Sequence, residues 1–187
     1  MPLDSEHAIA LACHSGAFTD AVRGLAARVR RKSEELAVTY VLDGDIGRLR
    51  IPAQRPSRPA HELWRHTCCE VFVARQGLLA YHEINLSPSG EWAAYAFDGY
   101  RTPRMGGANR IELAPHVSIR SSASRLELDA VINLDRLEAS YVHAPLSLAL
   151  SAVIEDSAGA LSYWALRHPA GKPDFHHPQA FALELRG

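Results

Sequence analysis

Hydrophobic and polar residues alternate with a period of two along most of the chain, which is the pattern of half-buried β-strands. Turn residues bound each alternating run. The predicted strands are residues 9–13, 22–30, 35–42, 47–51, 68–74, 79–86, 91–97, 116–121, 125–133, 146–154, 161–167 and 180–185. A single helical turn is predicted at residues 135–138. The pattern therefore predicts an all-β fold, a two-sheet antiparallel β-sandwich of the jelly-roll type with few short helical turns.

Three longer connections, residues 52–63, 100–115 and 168–179, are polar or rich in proline and glycine. Long loops on a rigid sandwich are where binding sites usually lie. The chain has 187 residues, of which 47% are hydrophobic and 22% charged. That size predicts one domain, residues 1–187, with a sizeable core.

Charge and cysteine content narrow the class of protein. A net charge of −1 and a pI of about 6.8 argue against a nucleic-acid-binding protein. The densest basic run, residues 28–32, alternates and predicts the solvated side of a strand.

Apolar runs are too short to span a membrane, and the first residues lack the basic start of a signal peptide. Three cysteines, an odd number, predict reduced, buried thiols in a cytoplasmic protein.

A glutamate interrupts the most apolar of the predicted strands, residues 68–74 (CCEVFVA). The following Gln-Gly pair at residues 76–77 predicts a hairpin with the next strand. In that register one face of the hairpin carries two acids, an amide and two aromatic rings. The facing pairs are Glu70 with Glu83, Phe72 with Tyr81, and Cys68 with Asn85.

Carboxylates that face each other across a sheet repel, so they require a cation, a shared proton or a ligand that donates hydrogen bonds to both. Arg65 and Arg101 are the candidate cations, and either would make Glu70 part of a structural ion pair. The alternating polar face of residues 81–87 also suits a polyhydroxylated ligand, because carboxylates and amides bind hydroxyls and aromatic rings cover the C–H face of a sugar. Simple solvation of one sheet face explains the same pattern.

Several segments carry a family resemblance. Trp64, followed six positions later by Glu70 in an EVFV strand, and YHEIN at residues 81–85 leading into SPSGEW at 87–92, resemble the family 9 carbohydrate-binding module and the broader DOMON-like ligand-binding sandwiches. SYWAL at 162–166 with KPDFH at 172–176 resembles small bacterial DOMON-like proteins. The resemblance covers residues 35–185. It implies a two-sheet sandwich that binds sugar termini in a slot between two aromatic side chains.

The resemblance also implies roles for individual residues. Trp64 and Glu70 match the first aromatic side chain and the acid of the module, and Arg101 matches a hydroxyl-binding basic residue. Phe175 is the candidate for the second aromatic side chain, with Trp164 as its substitute. The full set of candidate ligand-binding residues is Trp64, Glu70, Tyr81, Glu83, Asn85, Arg101, Trp164 and Phe175.

Neither a metal nor another cofactor is expected. Ten histidines invite a metal hypothesis, chiefly at His168, His176 and His177 with Asp174. Adjacent histidines on an extended segment point apart, however, and no His-x-x-x-His helix is present. The calcium sites of the module have no matching cluster of oxygen ligands. Haem-binding DOMON relatives depend on axial methionine and histidine, and Met1 and Met105 are the only methionines.

The leading hypothesis is a non-catalytic domain that binds a small polar molecule, a saccharide or a sugar-like metabolite. The alternative is a protein-interaction or homodimerisation module, because tyrosine, tryptophan and arginine are also enriched at interfaces. A glycoside hydrolase is the third hypothesis, since Glu70 and Glu83 directly opposed would lie about 5 Å apart. No nucleophile elbow, phosphate loop or Ser/His/Asp signature supports it.

Overall fold

The computed structural model describes residues 8–105 and 110–187, and strands dominate it, as predicted. Helical structure in the described residues is limited to α1 (Leu134–Leu137) and single 3₁₀ turns at Ile46–Arg48, Leu63–Arg65, Ala139–Tyr141 and Pro178–Ala180. The strands are β1 (Ile9–Cys13), β2 (Val22–Lys32), β3 (Glu35–Gly44), β4 (Cys68–Arg75), β5 (Tyr81–Leu86), β6 (Trp92–Gly99), β7 (Thr102–Pro103), β8 (His116–Ser121), β9 (Arg125–Asn133), β10 (Leu146–Glu155), β11 (Leu161–Ala165) and β12 (Leu183–Leu185). The all-β class is confirmed.

The strands form one continuous antiparallel sheet in the order β7-β6-β5-β4-β10-β11-β1-β2-β3-β9-β8. β12 pairs with the first residues of β10. Strand β1 joins the two halves, because its first residues pair with β2 and its last residues pair with β11. The sheet therefore has two halves, β2-β3-β9-β8 and β7-β6-β5-β4-β10-β11, that share β1.

The two halves face each other across a single hydrophobic core. Leu36, Val38 and Leu128 from one half belong to the same buried cluster as Val71 and Leu148 from the other. A hydrogen bond also crosses the core, from the Tyr40 hydroxyl to the backbone oxygen of Glu70 at 2.6 Å. The arrangement is sandwich-like, while β1 keeps the sheet continuous.

One predicted strand is wrong. Residues 47–51 form no strand, because Arg48 N–H and Leu49 N–H bond back to Asp45 and Ile46 in a 3₁₀ turn. Leu49 makes only an isolated bridge with Asp156. The last predicted strand shortens to β12, because its first residue, Ala180, ends the 3₁₀ turn Pro178–Ala180. The predicted helical turn at residues 135–138 is present as α1.

The β4–β5 hairpin has a different register from the predicted one. Leu78 N–H bonds to the Arg75 oxygen around the expected turn, but residues 79–80 extend the loop before pairing begins. The register shifts by two residues, and because two is the side-chain period of a strand, every residue keeps its predicted face. The observed facing pairs are Glu70 with Asn85, Phe72 with Glu83, and Ala74 with Tyr81.

The basic run at the end of β2 is only partly solvated. Arg30 and Lys32 are exposed, as predicted, but Arg31 is half-buried and its guanidinium serves a structural role. Each of its terminal nitrogens donates to two backbone oxygens, at distances of 2.6–2.8 Å. These oxygens belong to Tyr141, Val142, Ala144 and Arg186. Arg31 thereby ties the 3₁₀ turn after β9 and the C-terminal end of the chain to β2.

Candidate functional site

A pocket of about 730 Å³ lies on the outer face of strands β4, β5, β6, β10 and β11. Alternation places it there: Val71 and Val73 of β4 point into the core, while Glu70 points the other way, into the pocket. All three of the predicted long connections supply its walls. The lining residues from these connections and from the turn that follows the first are His61, Glu62, Trp64, Arg65, Arg101, Pro103, Arg110, Pro173, Phe175 and His176.

The polar face of the hairpin is buried. Glu70, Glu83 and Asn85 are 4%, 6% and 0% exposed. Solvation of an open sheet face therefore does not account for these polar residues, and that interpretation is wrong. A buried carboxyl group costs free energy unless something pairs with it, so the partners of these two acids decide what the pocket can do.

Glu70 has no hydrogen-bond or ion-pair partner for its carboxyl group among residues 8–105 and 110–187. Burial and the negative charge of Glu83 raise the pKa of Glu70 well above the usual range, while the positive charge of Arg101 lowers it. The structural ion pair with Arg65 is not formed, because Arg65 Nη2 binds Glu62 at 2.9 Å. A buried carboxyl of this kind is suited to accept hydrogen bonds from a ligand.

Glu83 is better satisfied. One carboxyl oxygen accepts a hydrogen bond from Asn85 Nδ2 at 2.7 Å. Burial raises the pKa of Glu83 to about 7, while the Asn85 hydrogen bond and the Arg101 charge lower it. Glu83 is therefore poised to exchange a proton near neutral pH. Asn85 lies behind the pocket and positions this carboxyl group.

His176 and Tyr81 form a hydrogen-bonded chain beside Glu83. The Tyr81 hydroxyl accepts from the Arg101 backbone N–H at 3.2 Å and lies 2.8 Å from His176 Nδ1. Burial lowers the pKa of His176 to about 4, so the ring is neutral at neutral pH. The hydroxyl then donates to Nδ1, and this network assigns the ring proton to Nε2. Nε2 lies 3.6 Å from Glu83 Oε2, too far for a hydrogen bond, and a neutral ring forms no ion pair.

Arg101 reaches the pocket but is held by an acid outside it. Its Nη2 donates to Asp174 Oδ1 at 2.8 Å, and Tyr100 donates to the other oxygen of Asp174 at 2.5 Å. This pair links the turn after β6 to the connection that follows β11. Arg101 therefore anchors a pocket wall, and about half of its side chain remains exposed for a ligand.

The aromatic candidates separate into two groups. Trp64 is 47% exposed at the pocket wall, with the Arg65 guanidinium 5.2 Å from its ring centroid. Phe175 also lines the pocket, although it is largely buried. Trp164 lies in the hydrophobic core, where its indole N–H donates to Ser162 Oγ at 3.0 Å. Trp164 therefore does not reach the pocket.

Sequence reasoning missed three aromatic residues of the pocket, Tyr95, Phe97 and Tyr163. Tyr163 is the neighbour of Trp164 on β11 and so faces the opposite side. The side of the sheet on which Tyr163 lies could have been predicted from the pairing of β11 with β10. Trp164 pairs with Ala152, a core residue, so Tyr163, which pairs with Val153, lies on the opposite side. A second cavity of about 370 Å³ adjoins the pocket and shares Tyr95 with it.

The histidines singled out as metal-site candidates are engaged with the protein. His168 Nε2 contacts the Ala12 oxygen at 2.8 Å, and His177 Nδ1 accepts from the Gln179 backbone N–H. Within the described residues, no group of three or more His, Cys, Asp or Glu side chains has the arrangement of a metal site.

In the same part of the chain, helices are too short or too polar to cross a membrane. Cys68 and Cys69 are buried free thiols, as predicted.

Comparison with known proteins identifies the fold. No protein-family model and no curated protein matches the sequence. A candidate carbohydrate-binding protein from Bacteroides uniformis ATCC 8492 is similar in structure, with a TM-score of 0.59 and 14% identity over 83% of this chain and 75% of that one. A family 9 carbohydrate-binding module from Caldicellulosiruptor kristjanssonii in complex with cellotriose has a TM-score of 0.54 and 10% identity, covering 88% and 74%. The fold expected from the resemblance is confirmed.

Proposed function

We propose that this protein binds a saccharide or a sugar-like metabolite in the pocket on its outer sheet face, without catalysing a reaction. The observation that carries the proposal is the buried carboxyl group of Glu70, which lines the pocket and has no partner among the described residues. The similarity in fold to carbohydrate-binding proteins supports the same class of ligand.

The proposed contacts follow the chemistry of the wall residues. Trp64 and Phe175 cover the C–H faces of the sugar, and Glu70 and Glu83 accept hydrogen bonds from its hydroxyls. Arg101 donates from the rim. Tyr81 and Asn85 do not line the pocket, and their proposed role is to hold His176 and Glu83 in position. Trp164 has no part in this site.

The affinity is expected to be modest. Hydroxyl–carboxylate hydrogen bonds replace hydrogen bonds with water, so each adds only about 0.5–1.5 kcal/mol. Dissociation constants on the order of micromolar to millimolar follow from a few such bonds and one or two aromatic contacts.

Titration of the protein with neutral mono- and disaccharides, followed by tryptophan fluorescence and calorimetry, tests the proposal. We expect saturable binding that Trp64→Ala removes without changing the unfolding temperature, because this side chain is half exposed. The matched control is Phe18→Ala, which removes another exposed aromatic ring outside the pocket and leaves binding intact. Binding that survives Trp64→Ala would remove Trp64 from the site.

Neither of the other two hypotheses gains comparable support. A hydrolase with a pair of catalytic carboxylates about 5 Å apart needs Glu70 and Glu83 to face each other directly, but Asn85 lies opposite Glu70 instead. An interaction module predicts that Trp64 becomes buried in a dimer or complex. Light scattering over a range of protein concentrations would detect such a dimer, and a dimer disrupted by Trp64→Ala without sugar binding would favour that function.

A further inference from the structure

The floor of the pocket, formed by Glu70 and Glu83 with Asn85 behind them, has more hydrogen-bond acceptors than donors. No donor in the described part of the chain reaches the carboxyl group of Glu70, although the residue is 96% buried. Glu83 receives one side-chain hydrogen bond, from Asn85 Nδ2. The other side-chain atom of that amide, Asn85 Oδ1, is also buried without a partner among the described residues. These buried acceptor atoms therefore need hydrogen-bond donors from a bound ligand.

Three arginines line the pocket, and within the described residues none of them forms an ion pair with Glu70 or Glu83. Arg110 is exposed, and its Nη1 lies 3.1 Å from His61 Nε2. The other two arginines are bound to acids. Arg65 Nη2 lies 2.9 Å from Glu62, and Arg101 Nη2 lies 2.8 Å from Asp174. In each pair, the carboxylate balances the positive charge of the arginine that it binds. Neither arginine provides a full countercharge for the two carboxyl groups on the floor, and Glu70 receives hydrogen bonds from neither.

His176 does not provide the missing charge either. Its ring is neutral near pH 7, because burial and the positive charge of Arg101 lower its pKa to about 4. The tautomer set by Tyr81 directs an N–H toward Glu83 across 3.6 Å, which contributes a dipole but no net charge. Within the part of the chain that the structure describes, no cation is therefore paired with the carboxyl group of Glu70 or Glu83.

An ammonium group matches this floor better than a hydroxyl does. It is compact, carries a full positive charge and has three donors, enough for both carboxylates. A hydroxyl supplies one donor, too few for both buried carboxyl groups, and it has no charge that would stabilise their ionised forms. Sugar phosphates and sugar acids would add a like charge beside two acids and are disfavoured.

We propose that the ligand of this pocket is an amino sugar, or another polyol with a primary amine, whose ammonium group binds both Glu70 and Glu83. This inference rests on the proposed saccharide-binding function and narrows it to one chemical class. The ammonium group stabilises the ionised form of both carboxyl groups, so binding near neutral pH releases protons from the protein.

Calorimetry of the full chain tests the inference with matched pairs of sugars at about pH 6.5, where aliphatic amines are protonated. The pairs are glucosamine with glucose, galactosamine with galactose, and 6-amino-6-deoxyglucose with glucose. At least one amino sugar is expected to bind about 10-fold more tightly than its neutral parent, and N-acetylation is expected to abolish the gain. Repeating the titration in buffers of different ionisation enthalpy measures the released protons.

Glu70→Gln provides the matched variant, because glutamine keeps the size of the side chain and removes its charge. It is expected to eliminate the preference for the amine, so that an amino sugar binds no more tightly than its neutral parent. Neutral sugars that bind as tightly as every amino sugar, or a preference that survives Glu70→Gln, would overturn this inference and leave the saccharide proposal standing. If no sugar of either kind binds, the saccharide proposal falls and this inference falls with it.

Discussion

Glu70 on β4 lies directly opposite Asn85 on β5. Glu83 lies two ladder positions away, opposite Phe72, so the Asn85 amide is a neighbour of both acids on this face of the hairpin. The amide donates to Glu83 and leaves Glu70 to the pocket. The protein therefore holds one of the two carboxyl groups, and the other is the group that we propose binds the ligand.

Glu83→Gln is expected to change how stability depends on pH. The folded-state pKa of Glu83 is about 7, above its usual value of 4.5, so between these values the folded protein binds a proton that the unfolded chain does not. Relative to Glu83→Gln, the wild-type protein should therefore lose about 3 kcal/mol as the pH rises from 4.5 to 7, with no further change above. Urea unfolding across this range measures the difference. Glu184→Gln, at an exposed site on β12, should show no such trend.

His82 should make the protein sensitive to acid. This buried histidine bonds to the Tyr141 hydroxyl at 2.8 Å, and burial lowers its pKa to about 4. Between pH 6.5 and pH 4 the unfolded chain binds a proton that the folded protein rejects, so stability falls as the pH falls. Relative to His82→Gln, the wild type should lose about 2 kcal/mol between pH 6.5 and about pH 5. Equal slopes for the two proteins would contradict a neutral, buried His82.

Arg31→Met is expected to lower the free energy of unfolding by about 2 kcal/mol, because several backbone oxygens lose a charged donor. Arg30→Met is the matched control. It removes the same side chain one residue away, at an exposed position, and should change stability by less than about 0.5 kcal/mol. Chemical denaturation distinguishes the two variants, and similar values for both would refute the structural role of Arg31.

Tyr81→Phe should weaken ligand binding without unfolding the domain. The lost hydroxyl is the hydrogen-bond partner of His176 Nδ1 and of the Arg101 backbone, and its loss should cost about 1 kcal/mol of stability. Nitrogen chemical shifts of His176 should report a change in tautomer population. Tyr163→Phe, whose hydroxyl has no partner in the described residues, should leave those shifts unaltered. An unchanged His176 spectrum in Tyr81→Phe would refute the assigned hydrogen-bond chain.

The sequence alone determined the all-β class and the face on which each hairpin side chain lies. Alternation specifies both, because the side-chain period of a strand is two. A register error of two residues therefore left Glu70, Glu83 and Asn85 on their predicted face. The strand predicted at residues 47–51 failed because local 3₁₀ hydrogen bonds satisfied its backbone instead.

Only the tertiary structure decided that this polar face is a pocket. The connection that contains Phe175 and His176 is far from β4 in sequence, yet it covers the outer sheet face and buries Glu70 and Glu83. Tertiary packing also put Trp164 in the core and Tyr163 in the pocket. Both outcomes depend on long-range contacts, whose partners local alternation does not specify.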